Sequence, residues 1–171
     1  MQNRAQNAVY KQSPDSIEFY LSRAKLVAEQ GQPRDAVAHF EEVVHEHRYA
    51  DEAAAHYGLA SALARARNFS RAWTEVEAAR KLSGSHPMVE LLAARIRVGQ
   101  GNPAAAKDIL TAALSRTPNY RPLQYAYVET LQGMGQHQAA LAWLADLVKS
   151  YPQDARMYGL QAKSYAASDL A

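Results

Sequence analysis

Four times along the chain an alanine is followed, four residues later, by a large apolar side chain: Ala36 with Phe40, Ala72 with Val76, Ala106 with Leu110, and Ala140 with Leu144. Twelve residues before each alanine stands another small or β-branched residue, Ala24, Ala60, Ala94 and Val128. Ala162 continues that series, whose successive spacings are 36, 34, 34 and 34 residues. Apolar positions three and four apart share one face of a helix, so each unit predicts two amphipathic helices. Small residues let the two helices of a pair approach closely, and the larger ones bridge to the next pair.

Polar segments punctuate the pattern at matching places. Between the two marks of each unit come "EQGQPRDA", "ARARNFSRA", "GQGNPAAA" and "GMGQHQAA", with Gly31, Gly101 and Gly135 at one phase. Glycine suits the left-handed residue that closes a helix, and Pro33 or Pro103 just beyond suits the first turn of the next one. Further breaks follow each second helix at "GSHP", "TPNY" and "YPQD", with Pro118 and Pro152 one repeat apart. Ser13 is a plausible N-cap, with Pro14 and Asp15 fitting the first turn, so the regular pattern is expected to start there. "ARMYGLQAKSYAAS" then reads as a fifth first helix with no second helix after it.

Taken together, these residues resemble the tetratricopeptide repeat, whose signature places a small residue in the first helix, alanine and an aromatic in the second, and proline at the end. The match covers roughly residues 16 to 171. The signature tryptophan is missing, and Arg67, Arg48 and Gly84 depart from the expected glycine or proline. The expected fold is all-α, a right-handed solenoid of about four helix-turn-helix repeats plus a final lone helix. Residues 14–171 form its single domain, after a linker or cut edge at 1–13.

Bulk composition narrows the function. With 48% hydrophobic and 21% charged residues the chain of 171 is of ordinary globular character, and long enough for one domain or a short repeat array. A formal net charge of +2, from 19 basic and 17 acidic side chains, gives no footprint for a phosphate backbone or an anionic membrane. A nucleic-acid partner is therefore not expected. No apolar run approaches the ~18 to 20 residues of a membrane span, so no direct membrane insertion is expected. "MQNRAQNAVYKQ" lacks the apolar core of a signal peptide. The chain contains no cysteine, which removes disulfides, thiolate metal sites and cysteine nucleophiles.

The one stretch that invites a metal is "HFEEVVHEHR", residues 39 to 48, with three histidines and three glutamates. Phe40, Val43 and Val44 form its apolar stripe, leaving His39, Glu42 and Glu46 on one flank and Glu41 with His45 on another. His39 and Glu46 stand about 10 Å apart along a helix axis, too far to share one ion, and His45 and His47 are about 200° apart around it. No pair of histidines stands four apart as the zinc-peptidase motif requires. The stretch is expected to be a solvated helix face. A self-contained metal enzyme using His39, His45 and Glu46 is the competing reading, and it requires bound zinc. The glycine-rich turns lie between helices rather than between strand and helix, so they are not phosphate loops. Ser61, Ser115 and Ser164 lack any nucleophile context, and Arg65, Arg67 and Arg71 read as surface.

The tetratricopeptide resemblance implies that first helices line a concave groove. Carried over position by position, it places Lys25, Tyr57, Ser61, Arg95, Tyr125, Glu129 and Lys163 there, facing a protein or extended peptide. The lysine and asparagine clamp for acidic C-terminal tails is absent, because the corresponding positions hold Leu21, Gly58, Met88 and Leu92.

The runs "SIEFYLSRAKLVAEQGQPRDAVAHFEEVV", "AAAHYGLASALARARNFSRAW", "HPMVELLAARIRVGQGNPAAAKDIL" and "YRPLQYAYVETLQGMGQHQAAL" also resemble the C-terminal repeat half of bacterial periplasmic zinc metallopeptidases of the beta-barrel-assembly-enhancing type. That resemblance implies a non-catalytic periplasmic module that docks outer-membrane assembly partners or presents substrate. It implies no cofactor in this chain, with zinc held only in an upstream catalytic domain. The alternative is a free-standing scaffold of pilus or secretion type, which also leaves a cytoplasmic location open. The face of the last helix left without its second helix is expected to be able to pair with another copy.

Overall fold

The computed structural model describes residues 33–45 and 53–168. They form eight α-helices, and among the described residues there is no strand. In chain order these are α1 (Pro33–His45), α2 (Ala53–Arg65), α3 (Phe69–Ser83), α4 (Pro87–Gly99), α5 (Pro103–Arg116), α6 (Arg121–Gly133), α7 (His137–Ser150) and α8 (Ala155–Ser168). The expectations for Ser13, Pro14, Asp15, Ala24, Lys25, Gly31, Glu46, His47, Arg48 and the side chain of Val43 lie outside the described residues.

The helix ends follow from local chemistry. α3 and α5 are capped by Asn68 and Asn102, whose side chains accept from the backbone N–H of Arg71 at 3.4 Å and Ala105 at 3.1 Å. Pro87 and Pro103 open α4 and α5, where a missing N–H costs nothing. Three first helices end in the same closing turn: the N–H of Asn68, Asn102 and Gln136 donates to the carbonyls of Leu63, Arg97 and Leu131, each at 2.9 Å. That turn needs a left-handed residue, supplied by Gly101 (φ 75°) and Gly135 (φ 72°). Arg67 holds the same place at φ 60°, at a cost of about 1 to 2 kcal/mol relative to a relaxed conformation.

Each helix packs on its neighbours in sequence, and the first helices α2, α4, α6 and α8 also touch one another from unit to unit; among the described residues the second helices do not. The first helices therefore form the inner layer of a solenoid. Ala36, Ala72, Ala106 and Ala140 are fully buried, as are Ala60, Ala94 and Val128, so the small marks sit where paired helices approach. Phe40, Val76, Leu110 and Leu144 fill the space between units. Close approach is tightest at two glycines. A Cβ on Gly58 would lie 2.1 Å from the Phe40 ring, and one on Gly99 would lie 2.3 Å from the Phe69 ring.

Buried polar groups join the layers. Glu90, only 1% exposed, is held by Arg80 through Nε at 3.2 Å and Nη2 at 3.1 Å, with Arg116 at 3.7 Å. Burial works against the Arg80 cation, yet its bonds to Glu77 and Glu90 outweigh that and raise its pKa. The Gln132 amide donates to the Leu160 carbonyl and to Ser164 Oγ, each at 2.7 Å, tying α6 to α8. The small-residue series ends differently from the sequence pattern: Ala162 is exposed on α8. Its counterparts Ala60, Ala94 and Val128 are covered by the second helix of their own unit, and no described helix follows α8.

Candidate binding groove

Because α2, α4, α6 and α8 start at residues 53, 87, 121 and 155, equivalent positions stack in rows along the inner layer. One such row is Ser61, Arg95, Glu129 and Lys163, of which the last three are exposed and Ser61 is half-buried. The structure brings Arg95 and Glu129 to opposite walls of a cleft of about 390 Å³ between α4 and α6. The rest of its lining is mostly apolar or small: Ala94, Val98, Leu110 and Ala126, with Gly101, Pro103 at the start of α5, Gly133, and Thr130, whose hydroxyl is spent on the Ala126 carbonyl.

Tyr57 does not line this cleft. It is half-buried against the N-terminal core, where burial pushes its hydroxyl pKa up while the Arg95 charge pulls the other way. Tyr125, two units further along the same row as Tyr57, is committed to the junction with α8. Its hydroxyl donates to Asp154 Oδ2, and the Arg156 guanidinium lies 4.3 Å above its ring. Burial first, and then the bond to Asp154, raise the Tyr125 pKa. Asp154 is the N-cap of α8, accepting from the N–H of Arg156 at 3.1 Å and Met157 at 3.4 Å. The Tyr125 hydroxyl, followed by those two N–H groups and Arg121 at 3.6 Å, holds its carboxyl below the usual range.

Charge is thus unevenly distributed along the groove. Arg156 Nη2 donates to Glu129 at 2.7 Å, so this wall of the cleft is already neutralised. Among the described residues Arg95 and Lys163 take part in no ion pair or hydrogen bond. The cleft therefore offers an apolar floor beside one uncompensated guanidinium.

Val98 was not singled out by sequence reasoning, although it is 47% exposed on the cleft wall. A valine on an amphipathic helix is ordinarily read as core, and its row does not help, because Ala64 packs on the core and Gln132 is buried. The half-buried pair of His56 Nδ1 and Glu75 Oε2, 2.7 Å apart, was equally invisible because its members are 19 residues apart on different helices.

His39 lies 3.8 Å from Glu42, and His45 is exposed. Among the described residues no group of three or more His, Asp or Glu side chains is placed to hold a metal ion. No helix among them is long and apolar enough to cross a membrane.

Stacked helix pairs with a groove along the inner layer define a helical-repeat solenoid. Two family models, both described as tetratricopeptide repeat, match residues 21–87 and 97–164, most of the chain between them. The chain belongs to the tetratricopeptide repeat family. No curated protein is significantly similar to it in sequence. Among solved structures, a thermophilic tetratricopeptide repeat protein of Thermus thermophilus superimposes with a TM-score of 0.78 at 17% identity, over 95% of this chain and 86% of that one. PilW, a type IV pilus biogenesis factor, gives 0.78 at 18% identity over 91% of this chain and 71% of that one. YrrB, described as having an unusual peptide-binding site, gives 0.66 at 18% identity over 97% and 84%. At these identities the likeness is one of fold.

Proposed function

We propose that this chain is a non-catalytic protein-binding module that takes an extended segment of another protein in its concave groove. An aliphatic side chain of the ligand enters the cleft against Val98, and a neighbouring carboxylate meets Arg95. The observation that carries this reading is the cleft itself, which sets an apolar floor beside an unpaired guanidinium and a wall whose own carboxylate is spent on Arg156. Repeats of this family are typically non-catalytic, which agrees with a binding role. Lys163, further along the row, extends the same cationic flank.

Display selection of peptides on the purified chain tests this. Enriched sequences are expected to carry an aliphatic residue next to an acidic one, and Arg95→Glu is expected to weaken a selected peptide about tenfold or more. Equal binding by that variant sinks the groove assignment.

For context we favour the C-terminal module of an exported, periplasmic zinc metallopeptidase, presenting substrate or docking outer-membrane assembly partners. Repeat phrasing such as "HYGLASAL", residues 56 to 63, supports it. The zinc then belongs to an upstream domain. The second reading, a free-standing scaffold of pilus or secretion type, draws on the fold likeness to PilW. An in-frame His-Glu-x-x-His domain upstream in the encoding gene favours the first, and its absence the second. The open face of α8 is a second contact surface on either reading, suited to another copy of the chain.

A further inference from the structure

We propose that the cleft between α4 and α6 is an unfilled socket for an aromatic ring, and that the protein ligand supplies the ring. This rests on the reading that the concave groove takes an extended segment of another protein, and adds an aromatic side chain to what that segment must carry. Two neighbouring units of the same chain show the socket full and empty. Between α2 and α4 it is full. Phe69, the first residue of α3, packs its ring on the N-terminal cluster and so closely against Gly99 that a Cβ there would lie 2.3 Å from it. One unit of 34 residues further on, Gly133 stands in place of Gly99 and Pro103 in place of Phe69. Both line the cleft, and a Cβ on Gly133 would meet nothing within 4 Å. Leu92 and Ile96 likewise give way to the smaller Ala126 and Thr130. Val98 in place of Ala64 and Leu110 in place of Val76 return part of that volume, and about 390 Å³ stays open.

The combination is particular to this junction. α1 also opens on a proline, Pro33, but there the position equivalent to Gly99 is Arg65, and α7 opens on His137, where that position is Ala167. Among the described residues, only the cleft between α4 and α6 combines proline and glycine at these two places. A ring gains large contact area at little entropy cost, because only two torsions are fixed. The Thr130 hydroxyl already donates to the Ala126 carbonyl at 2.7 Å, so a buried ring strands no donor there. The open volume lies within the range that buries a whole drug-sized ligand, and so has room for a ring beside the aliphatic side chain at Val98. Gly133 stands one helical turn, ~6 Å, beyond Glu129, which shares its row with Arg95. An extended segment covers that distance in about two residues, which places the ring within two residues of the carboxylate that meets Arg95.

In peptides selected on the purified chain, an aromatic residue is therefore expected within two residues of the acidic one. With one such peptide, fluorescently labelled, anisotropy titration is expected to show a loss of about tenfold or more when the aromatic residue becomes alanine, and a smaller loss when it becomes leucine. Pro103→Phe is expected to refill the socket, because Asn102 caps α5 as Asn68 caps α3 ahead of Phe69. Binding then drops about tenfold while the melting temperature holds. Gly133→Leu is the independent block, since its side chain starts in open space at the end of α6, and the same loss is expected. Selected peptides that lack an aromatic residue, or a ring-bearing peptide that binds Gly133→Leu as it binds wild type, overturn the socket. If Arg95→Glu still weakens those peptides, the groove assignment stands without it; indifference to Arg95→Glu as well removes both. Association of the chain with itself that is lost in Gly133→Leu gives the socket to a ring of a second copy, and overturns the peptide as its occupant.

Discussion

The junction between α2 and α4 and the junction between α6 and α8 occupy equivalent places two units apart but are sealed by different chemistry. In the first, Leu59, Leu63, Ala62 and Ile96 lie in or beside one apolar cluster, and Gly58 admits the Phe40 ring. In the second, the positions equivalent to Ala62 and Ile96 are Thr130 and Ser164, and Ser164 is fully buried because Gln132 donates to it. The Tyr125 to Asp154 bond and the Arg156 to Glu129 pair close the rest. The backbone register tolerates either solution, provided every buried polar group finds its partner.

This contrast can be broken most forcefully at its apolar end. Ile96→Ala removes a fully buried side chain where the N-terminal cluster meets α4, and is expected to cost about 2 to 5 kcal/mol, read as a lower urea midpoint for the whole array. A loss below 1 kcal/mol shows that this junction is not the one that couples the units.

Gln132→Ala strips the polar junction of its only bridge to Ser164 among the described residues, and about 1 to 3 kcal/mol is expected. The damage is expected to stay local: amide exchange rises in α8 and is unchanged in α2 to α4. Faster exchange in α2 contradicts the separation of the two junctions.

The smallest effect is acid-dependent. The folded Asp154 carboxyl titrates below its unfolded range near 3.9, so its stabilisation is fully present above that value and is lost as pH falls through the folded value. Asp154→Asn keeps a cap acceptor but removes the charge. Thermal melts from neutral to acid pH are expected to show the variant below wild type at neutral pH, with the gap closing in acid. A gap constant with pH shows that the hydroxyl and N–H bonds, not the charge, hold this junction.

The same contrast explains what could be read in advance. The apolar seals repeat in phase, so Ala36, Ala60, Ala72, Ala94, Ala106, Val128 and Ala140 were legible as buried contacts, and the helix "ARMYGLQAKSYAAS" coincides with α8. Polar seals have no period. Ser164 reads as an ordinary polar helix residue until Gln132, 32 residues away, is seen to meet it. Ala162 repeats in phase yet is exposed, because phase records which helix a residue expects and none of the described helices covers that side of α8. In the groove, Arg95 and Glu129 were placed by the tetratricopeptide resemblance, whereas Val98 and the neutralisation of Glu129 by Arg156 depend on three-dimensional neighbours.

The matched closing turns at Asn68, Asn102 and Gln136 have a modular consequence. Since each first helix starts one 34-residue unit after the last, residues 87 to 120 form an interchangeable cassette whose removal or duplication leaves every remaining turn in phase. The length of the inner surface can therefore change in whole steps by recombination, while the two ends keep their own chemistry.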